Sequence, residues 1–342
     1  MNDHRIRDVL PMATGGSRRL SDSIGRRFEY LRLSLTDVCN FRCTYCLPEG
    51  YKKPCNKPSE LSVEEIRRAV TAFAQLGLWK VRLTGGEPTL RSDFEDVVRT
   101  VSQVPGIRKV AMTTNGYRLA QRAQAWRDCG VSAINISVDS LDPARFSAIT
   151  GHDRLAEVMR GIDAAEAAGF ESIKLNAVLM RGVNDDELET MVDFVASRDL
   201  SLRFIEVMRT NDNASFFDER HVAGQSVIDR LEDFGWQRLP REVGAGPAVE
   251  FGHPDAKGRI GIIAPYSKDF CASCNRLRLS SDGRLHLCLF GDGGFDLRPL
   301  LAKNSETELT ERIRALVGAK APAHRLHEGN SGATPHLASI GG

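Results

Sequence analysis

Six of the eight cysteines in this 342-residue chain fall into two triplets, and this clustering constrains the fold more than any other feature. Thiolates that lie close together along a chain can wrap one metal centre, so each triplet predicts a metal site. Cys55 and Cys129 are left over and are predicted to be ordinary small thiols of the core or surface. The two triplets are Cys39-x3-Cys43-x2-Cys46 and Cys271-x2-Cys274-x13-Cys288.

The residues alone leave open which metal each triplet binds. A structural zinc site usually has four Cys or His ligands, and the further candidates are Cys55 near the first triplet and His286 near the second. A cubane iron–sulfur cluster is usually held by four cysteines, so three would leave one iron open to bind a reacting molecule. Both a zinc site and a cluster with an open iron therefore remain as interpretations.

Short β-branched segments recur with helical segments between them, at a spacing near one βα unit. This alternation predicts an α/β fold with a parallel sheet and right-handed crossovers. Six such units are fewer than a complete eight-fold barrel has, so we predict an incomplete, TIM-like (βα)6 barrel. The predicted strands are Glu29–Leu35, Trp79–Leu83, Lys109–Met112, Ala133–Val138, Ser172–Leu179 and Leu202–Val207.

Beyond Met208 the regular alternation of strand and helix segments ends, and Pro, Gly and turn residues become frequent. We therefore predict three regions: a mobile N-terminal extension over 1–25, a partial barrel over 26–210, and a C-terminal region over 211–342. The last region carries the second triplet and is predicted to close the mouth of the barrel. Its predicted elements are the strands Arg259–Ile263, Arg276–Ser280 and Arg284–Leu287 and the helix Glu306–Val317.

Two segments have the pattern of a helix capping box, with Ser at the start and Glu three residues later. They are 62–65, which reads Ser-Val-Glu-Glu, and 92–95, which reads Ser-Asp-Phe-Glu. Each predicts the start of a helix of the barrel. Gly77 is placed to end the first of these helices.

The charge balance excludes a protein-wide electrostatic field. Lys and Arg number 46 and Asp and Glu 45, so the net charge is +1 and no nucleic-acid or membrane partner is predicted. No apolar run approaches the ~20 residues that span a bilayer, and the N-terminus lacks the apolar core of a secretory signal. We predict a cytoplasmic protein in which any charged substrate is held by local basic residues.

The turn 83–88, which reads Leu-Thr-Gly-Gly-Glu-Pro, follows the second predicted strand. Glycines let a backbone approach a ligand closely, and a carboxylate beside such a turn can accept from an ammonium group. Together with the first triplet, and with Tyr45 before its last cysteine, this turn resembles the radical S-adenosylmethionine (SAM) superfamily.

That resemblance implies a [4Fe–4S] cluster on the first triplet whose open iron chelates SAM. In the superfamily an electron from the cluster cleaves SAM to methionine and a 5'-deoxyadenosyl radical, while the protein positions the radical and excludes water. The residues implied to contact SAM are Tyr45, Gly86, Glu87, Ser137 and Met208.

The second triplet, with Asn-Arg-Leu-Arg over 275–278 after it, resembles the auxiliary-cluster site of the GTP 3',8-cyclase family. The resemblance covers the chain from about Arg26 to its end. It implies a second [4Fe–4S] cluster on Cys271, Cys274 and Cys288, whose open iron binds the guanine edge. It also implies that the terminal Gly-Gly tail reaches into the barrel. The implied catalytic residues are Arg32, Gly341 and Gly342.

The family's reaction is the cyclisation of GTP to (8S)-3',8-cyclo-7,8-dihydroguanosine 5'-triphosphate, the first step of molybdenum cofactor biosynthesis. The radical takes the hydrogen from C3' of the ribose, and C3' then attacks C8 of guanine. Several cations suit this substrate, because a triphosphate carries about four negative charges and arginine forks match phosphate geometry. The residues implied to bind GTP are Arg32, Lys80, Arg82, Thr113, Lys174, Arg203, Arg276 and Arg278.

The resemblance also implies partners: an electron donor of the flavodoxin or ferredoxin type, and cyclic pyranopterin monophosphate synthase as the downstream enzyme. The oligomeric state is left as monomer or homodimer. Two other functions stay open at this point. One is a radical SAM enzyme with an auxiliary cluster that acts on a peptide, and the other is a metal-binding module without catalysis.

Overall fold

The computed structural model describes residues 19–55, 58–242, 244–303, 305–333 and 337–341. Six strands alternate with helices through its first two thirds, as the repeat in the sequence predicts. The strands are β1 (Tyr30–Ser34), β2 (Lys80–Thr84), β3 (Lys109–Thr114), β4 (Ala133–Ser137), β5 (Ser172–Leu179) and β6 (Ser201–Glu206). The helices are α1 (Val63–Gln75), α2 (Phe94–Ser102), α3 (Leu119–Cys129), α4 (Pro143–Thr150), α5 (Leu155–Ala167) and α6 (Leu188–Ala196).

The C-terminal region extends the same sheet instead of forming a separate one. Its helices are α7 (Ala214–Arg220), α8 (Gly224–Asp233), α9 (Arg298–Lys303) and α10 (Glu306–Gly318). Its strands are β7 (Gln237–Arg238), β8 (Val249–Gly252), β9 (Arg259–Ile263), β10 (Arg276–Leu279), β11 (Arg284–His286) and β12 (Phe295–Asp296). The strands β9, β10 and β11 and the helix α10 are confirmed, while β7, β8 and β12 were not predicted.

The described strands form one sheet in the order β12-β11-β10-β1-β2-β3-β4-β5-β6-β9-β8-β7. Strands β1 to β6 are parallel neighbours, and β10 and β9 add in parallel to the two outer members, β1 and β6. The predicted incomplete barrel is therefore confirmed, and the C-terminal region lengthens its wall at both ends. The predicted boundary between 210 and 211 falls between β6 and α7 and stays a prediction.

The hydrophobic core lies between the sheet and its helices. Leu31 and Leu33 of β1 and Val81 and Leu83 of β2 are completely buried there. Side chains alternate across a strand, so these residues leave the other face of the same strands free for polar groups.

The predicted N-terminal extension, 1–25, is described only from Arg19 onward. There Leu20 is buried, and its backbone N–H donates to the carbonyl oxygen of Leu76 at 2.9 Å. Asp22 is buried as well and pairs with Arg26 at 2.6 Å. The last residues of the predicted extension therefore pack against the barrel.

One predicted capping box is confirmed and the other is wrong. At α1 the Ser62 hydroxyl accepts from the N–H of Glu65 at 3.2 Å, and the Glu65 carboxylate accepts from the N–H of Ser62 at 2.8 Å. At α2 the cap is Asp93 instead of Ser92, and it makes no side-chain cap bond. The Asp93 carboxylate is engaged by Arg91 at 2.8 and 2.7 Å instead.

Within the described residues, no helix is both long enough and apolar enough to cross a membrane.

The two serines give a matched test of this difference. We expect Ser62→Ala to lower the free energy of unfolding by about 1 kcal/mol, because it leaves a helix N–H without its cap acceptor. Ser92→Ala removes no cap bond and is expected to leave the denaturation midpoint unchanged. Equal midpoints for the two variants in urea would contradict the assignment.

Candidate active site

A cavity of about 920 Å³ lies against the inner face of the parallel strands. This volume is near the upper end of the range for ligand pockets, roughly 300–1,000 Å³. Lys80, Arg82 and Thr84, the alternate residues of β2, line it. The sequence Lys-Val-Arg-Leu-Thr thus gives one strand an apolar face for the core and a cationic face for the cavity.

The first triplet lies on the loop after β1, and all three of its thiols line the cavity. The N–H of Cys46 donates to the carbonyl oxygen of Cys43 at 2.9 Å, so these two share a tight turn. Burial raises the pKa of Cys39 to about 11 and that of Cys46 to about 12, and it also raises the pKa of Cys43 well above its usual range. Such half-buried, neighbouring thiols hold their protons until a metal displaces them, so this donor set fits an iron–sulfur cluster.

The second triplet lines the same cavity from the C-terminal region. Burial raises the pKa of Cys271, whereas at Cys274 burial is outweighed by Arg276 and Lys320, and the pKa is lowered. Arg26 fixes the loop, because its Nη1 donates to the carbonyl oxygen of Cys271 at 3.0 Å. Cations beside thiolates favour the ionised form that binds iron, so this set also fits a cluster.

No three His, Cys, Asp or Glu side chains in the described part of the chain are arranged to hold one metal ion. A cubane cluster differs from a single ion because each cysteine binds a different iron at its corners.

The glycine turn after β2 packs directly on the backbone that leads to the first triplet. The N–H of Gly86 donates to the carbonyl oxygen of Thr36 at 2.8 Å. A β carbon on Gly86 would lie 2.3 Å from the carbonyl oxygen of Val38, and one on Gly85 would lie 2.2 Å from that of Thr36. Gly85 also has a φ of +141°, which L side chains rarely adopt. The glycines are therefore required by this contact, and both line the cavity.

Glu87 is completely buried and is not among the residues that line the cavity. Its carboxylate accepts from the Thr89 hydroxyl at 2.6 Å, the Asn115 N–H at 2.7 Å and the Thr114 hydroxyl at 2.9 Å. These bonds tie the turn after β2 to the end of β3. The carboxylate implied to contact SAM is thus engaged within the protein, and it positions the turn.

The other residues implied to contact SAM, Tyr45, Gly86, Ser137 and Met208, all line the cavity. The Tyr45 hydroxyl donates to Asp139 at 2.9 Å, and Asp139 also accepts from the N–H of Val178 at 2.8 Å. Burial raises the pKa of Asp139 to about 6. This network joins the loop of the first triplet to β5.

All the residues implied to bind GTP line the cavity as well: Arg32, Lys80, Arg82, Thr113, Lys174, Arg203, Arg276 and Arg278. Burial, together with the neighbouring Arg82 and Arg203, lowers the pKa of Lys80 and of Lys174 to about 8 each. Arg203 pairs with Glu250 at 2.8 Å, while its buried Nε has no hydrogen-bond partner among the described residues. Buried cations and an unpartnered donor suit an anionic ligand.

The C-terminal tail docks against the cationic wall of the cavity. This wall consists of the Lys and Arg residues just named as implied to bind GTP. The carbonyl oxygen of Gly341 accepts hydrogen bonds from Arg32 Nε at 2.7 Å and from Arg278 Nη1. Arg278 Nη1 also donates to the carbonyl oxygen of Ile340 at 3.1 Å. The β carbon of any other residue at Gly341 would lie 2.1 Å from the Thr84 side chain. The described part of the tail thus reaches into the barrel as the family resemblance implied, and Gly342 lies outside the described residues.

Sequence reasoning missed several residues of the site: Tyr30, Asp139, Glu250, Arg26 and Lys320. A signal was available for Tyr30, because it lies two residues before Arg32 on the same strand and therefore on the same face. Asp139 directly follows the predicted strand Ala133–Val138, at the end of the strand where barrel active sites form. No local sequence pattern indicates the other three, because the path of loops and the pairing of strands place them at the cavity: Arg26, Glu250 and Lys320.

Comparison with known proteins agrees with this geometry. The family model of the Radical SAM superfamily matches residues 33–195, and that of Molybdenum Cofactor Synthesis C matches 200–326. Among solved structures, Streptococcus suis SuiB bound to S-adenosylmethionine superimposes with a TM-score of 0.62 at 13% identity, covering 85% of this chain and 68% of that one.

Curated relatives are much closer in sequence. The GTP 3',8-cyclase of Aeromonas hydrophila is 57% identical, over 94% of this chain and 96% of the relative. The enzymes of that name from Stenotrophomonas maltophilia and Vibrio cholerae are 55% and 53% identical, each over 95% of this chain and over 99% and 98% of their own lengths.

This architecture is that of radical SAM enzymes: a partial parallel barrel with a cysteine triplet and a Gly-Gly turn at its cavity. Within that class, the chain belongs to the GTP 3',8-cyclase family.

Gly86→Ala tests whether the close contact holds the first triplet. We expect the added methyl group to displace the backbone of 36–38, and we expect the reconstituted protein to lose iron and melt at a lower temperature. Gly318→Ala is the matched control, because its β carbon would meet nothing within 4 Å. Full iron content in Gly86→Ala would show that the contact does not position the cysteines.

Proposed function

We propose that this chain converts GTP to (8S)-3',8-cyclo-7,8-dihydroguanosine 5'-triphosphate, the first step of molybdenum cofactor biosynthesis. The observation that carries the proposal is one cavity that receives both cysteine triplets together with every residue implied to bind GTP. The relatives named for this reaction are more than half identical over nearly their whole length.

The proposed cofactors are two [4Fe–4S] clusters and SAM. Cys39, Cys43 and Cys46 would hold the cluster that binds SAM, and the second triplet would hold the other. When bound, the first cluster and SAM supply the one-electron chemistry that removes a hydrogen atom from the ribose. Tyr45, Ser137 and Met208 would support SAM from the cavity wall.

The chain's own contribution to substrate binding is a preorganised set of cations. Lys80, Arg82, Lys174 and Arg203 come from three strands of one rigid sheet, so little reorganisation is needed when an anion enters. Arg82 is held by the carbonyl oxygen of Met112 at 3.1 Å and faces Thr113 at 3.4 Å. These residues would bind the triphosphate.

The tail orients two further cations. Gly341 accepts from both Arg32 and Arg278, so one carbonyl oxygen fixes two guanidinium groups beside the cavity. Burial lowers the pKa of Arg32 to about 10, so this guanidinium is still protonated at neutral pH and donates hydrogen bonds. We assign Arg32 to the reacting part of the nucleotide, where the radical left by ring closure must gain one electron and one proton to give the product.

The remaining partners stay predictions: an electron donor of the flavodoxin or ferredoxin type, cyclic pyranopterin monophosphate synthase downstream, and a monomeric or homodimeric state. A peptide-modifying radical SAM enzyme needs no cradle of cations for a triphosphate. A metal-binding module without catalysis does not account for cations on the inner face of the sheet.

Metal analysis distinguishes the cluster assignment from zinc. Protein reconstituted without oxygen is expected to contain about eight irons per chain, four in each cubane. Cys274→Ser is expected to lower this to about four, because one cluster loses a ligand, whereas Cys55→Ser changes an exposed thiol outside both triplets and keeps all eight. Zinc in place of iron, or unchanged iron in Cys274→Ser, would contradict the assignment.

The reaction itself is tested by reducing the reconstituted protein and adding SAM with either GTP or ATP. We expect 5'-deoxyadenosine to form faster with GTP, together with a product of the same mass as GTP. SAM cleavage that does not respond to GTP would retain the radical SAM chemistry and reject the substrate. Failure of a protein with both clusters to cleave SAM would reject both.

A further inference from the structure

Tyr30 lies on the inner face of β1, on the same side of the strand as Arg32. It lines the cavity with only 4% of its surface exposed. Its hydroxyl oxygen accepts from Arg82 Nε and also interacts with the Arg32 guanidinium. The ammonium of Lys80 lies over its ring, 4.8 Å from the ring centre. Three cations from two adjacent strands therefore converge on one phenol.

The charged groups that face Tyr30 from each neighbouring strand are cations. Strand β1 contributes Arg32 and β2 contributes Lys80 and Arg82. On the other side of β1, Arg276 is the register partner of Tyr30, and Arg278 lies two residues further along β10. So many like charges, buried together, would repel one another unless an anion lies among them.

From this arrangement we propose that Tyr30 is an internal counter-anion for Arg32, Lys80 and Arg82, ionised while the cavity holds no polyphosphate and protonated when a polyphosphate enters. A phenolate stabilises the convergent cations of the free protein. An entering polyphosphate brings its own negative charge to the same cations, so the phenolate then takes up a proton from solvent. This inference rests on the proposed function for the identity of the polyphosphate.

The electrostatics of the cluster agree with the geometry. Burial alone raises the pKa of Tyr30, but Arg82, Arg32 and Lys80 outweigh burial and lower the pKa to about 7. The ordinary pKa of a tyrosine is about 10. Because the pKa is lowered in the free protein and rises again when the cations are neutralised, polyphosphate binding is coupled to proton uptake above pH 7.

The direct test follows the near-ultraviolet band that distinguishes phenolate from phenol, by difference spectroscopy on the protein reconstituted with its clusters. Inorganic tripolyphosphate is the probe, because it does not absorb in this region. In the free protein we expect one phenolate to form with a midpoint near pH 7, and tripolyphosphate to raise that midpoint by about one pH unit or more. Tyr30→Phe is expected to abolish the band.

Tyr117→Phe is the matched control, since Tyr117 is not among the residues that line the cavity, and this variant is expected to keep the band. A free protein with no phenolate below pH 9 overturns the inference, as does a band that persists in Tyr30→Phe. A band that tripolyphosphate binding leaves unmoved overturns the counter-anion role. SAM cleavage stimulated by GTP is measured separately, so the proposed function can hold even where this inference fails.

Discussion

The structure depends on a group of cations buried together on the inner face of a parallel sheet. Each of these side chains alternates with an apolar residue that packs in the core, so the charges cannot leave the cavity without disrupting the strands. Like charges in a low dielectric repel strongly. Hydrogen-bond acceptors that face the arginines offset this repulsion: the carbonyl oxygen of Gly341, the carboxylate of Glu250 and the hydroxyl of Tyr30. The same arrangement makes the cavity a receptor for a polyanion.

The sheet brings together parts of the chain that are far apart in sequence. Strand β10 pairs with β1 in parallel, which sets Arg276 and Arg278 beside Tyr30 and Arg32. This pairing also brings the second triplet to the cavity that the first triplet enters. The contact of Gly86 with the backbone of 36–38 fixes the first triplet against β2. Two backbone contacts between distant parts of the chain thus set the positions of both predicted metal sites.

Much of this could be predicted from the sequence, because the repeat of strands and helices has a strong period and the cysteine spacings are specific. The strands β7 and β12 were missed because two residues carry no periodic signal. The hydrogen bonds of Glu87 to Thr89, Thr114 and Asn115 could not be predicted, because a motif gives spacing but not the direction of a side chain. Ser92 was taken as a cap because sequence cannot show that Arg91 engages the neighbouring carboxylate.

In the proposed reaction, the nucleotide and SAM occupy one cavity, with the ribose next to the group that removes its hydrogen. The most direct measurement uses GTP deuterated at C3' and follows the label by mass spectrometry. We expect the deuterium to appear in 5'-deoxyadenosine and to be missing from the cyclised product. Unlabelled 5'-deoxyadenosine, formed at the rate at which GTP is consumed, would contradict it.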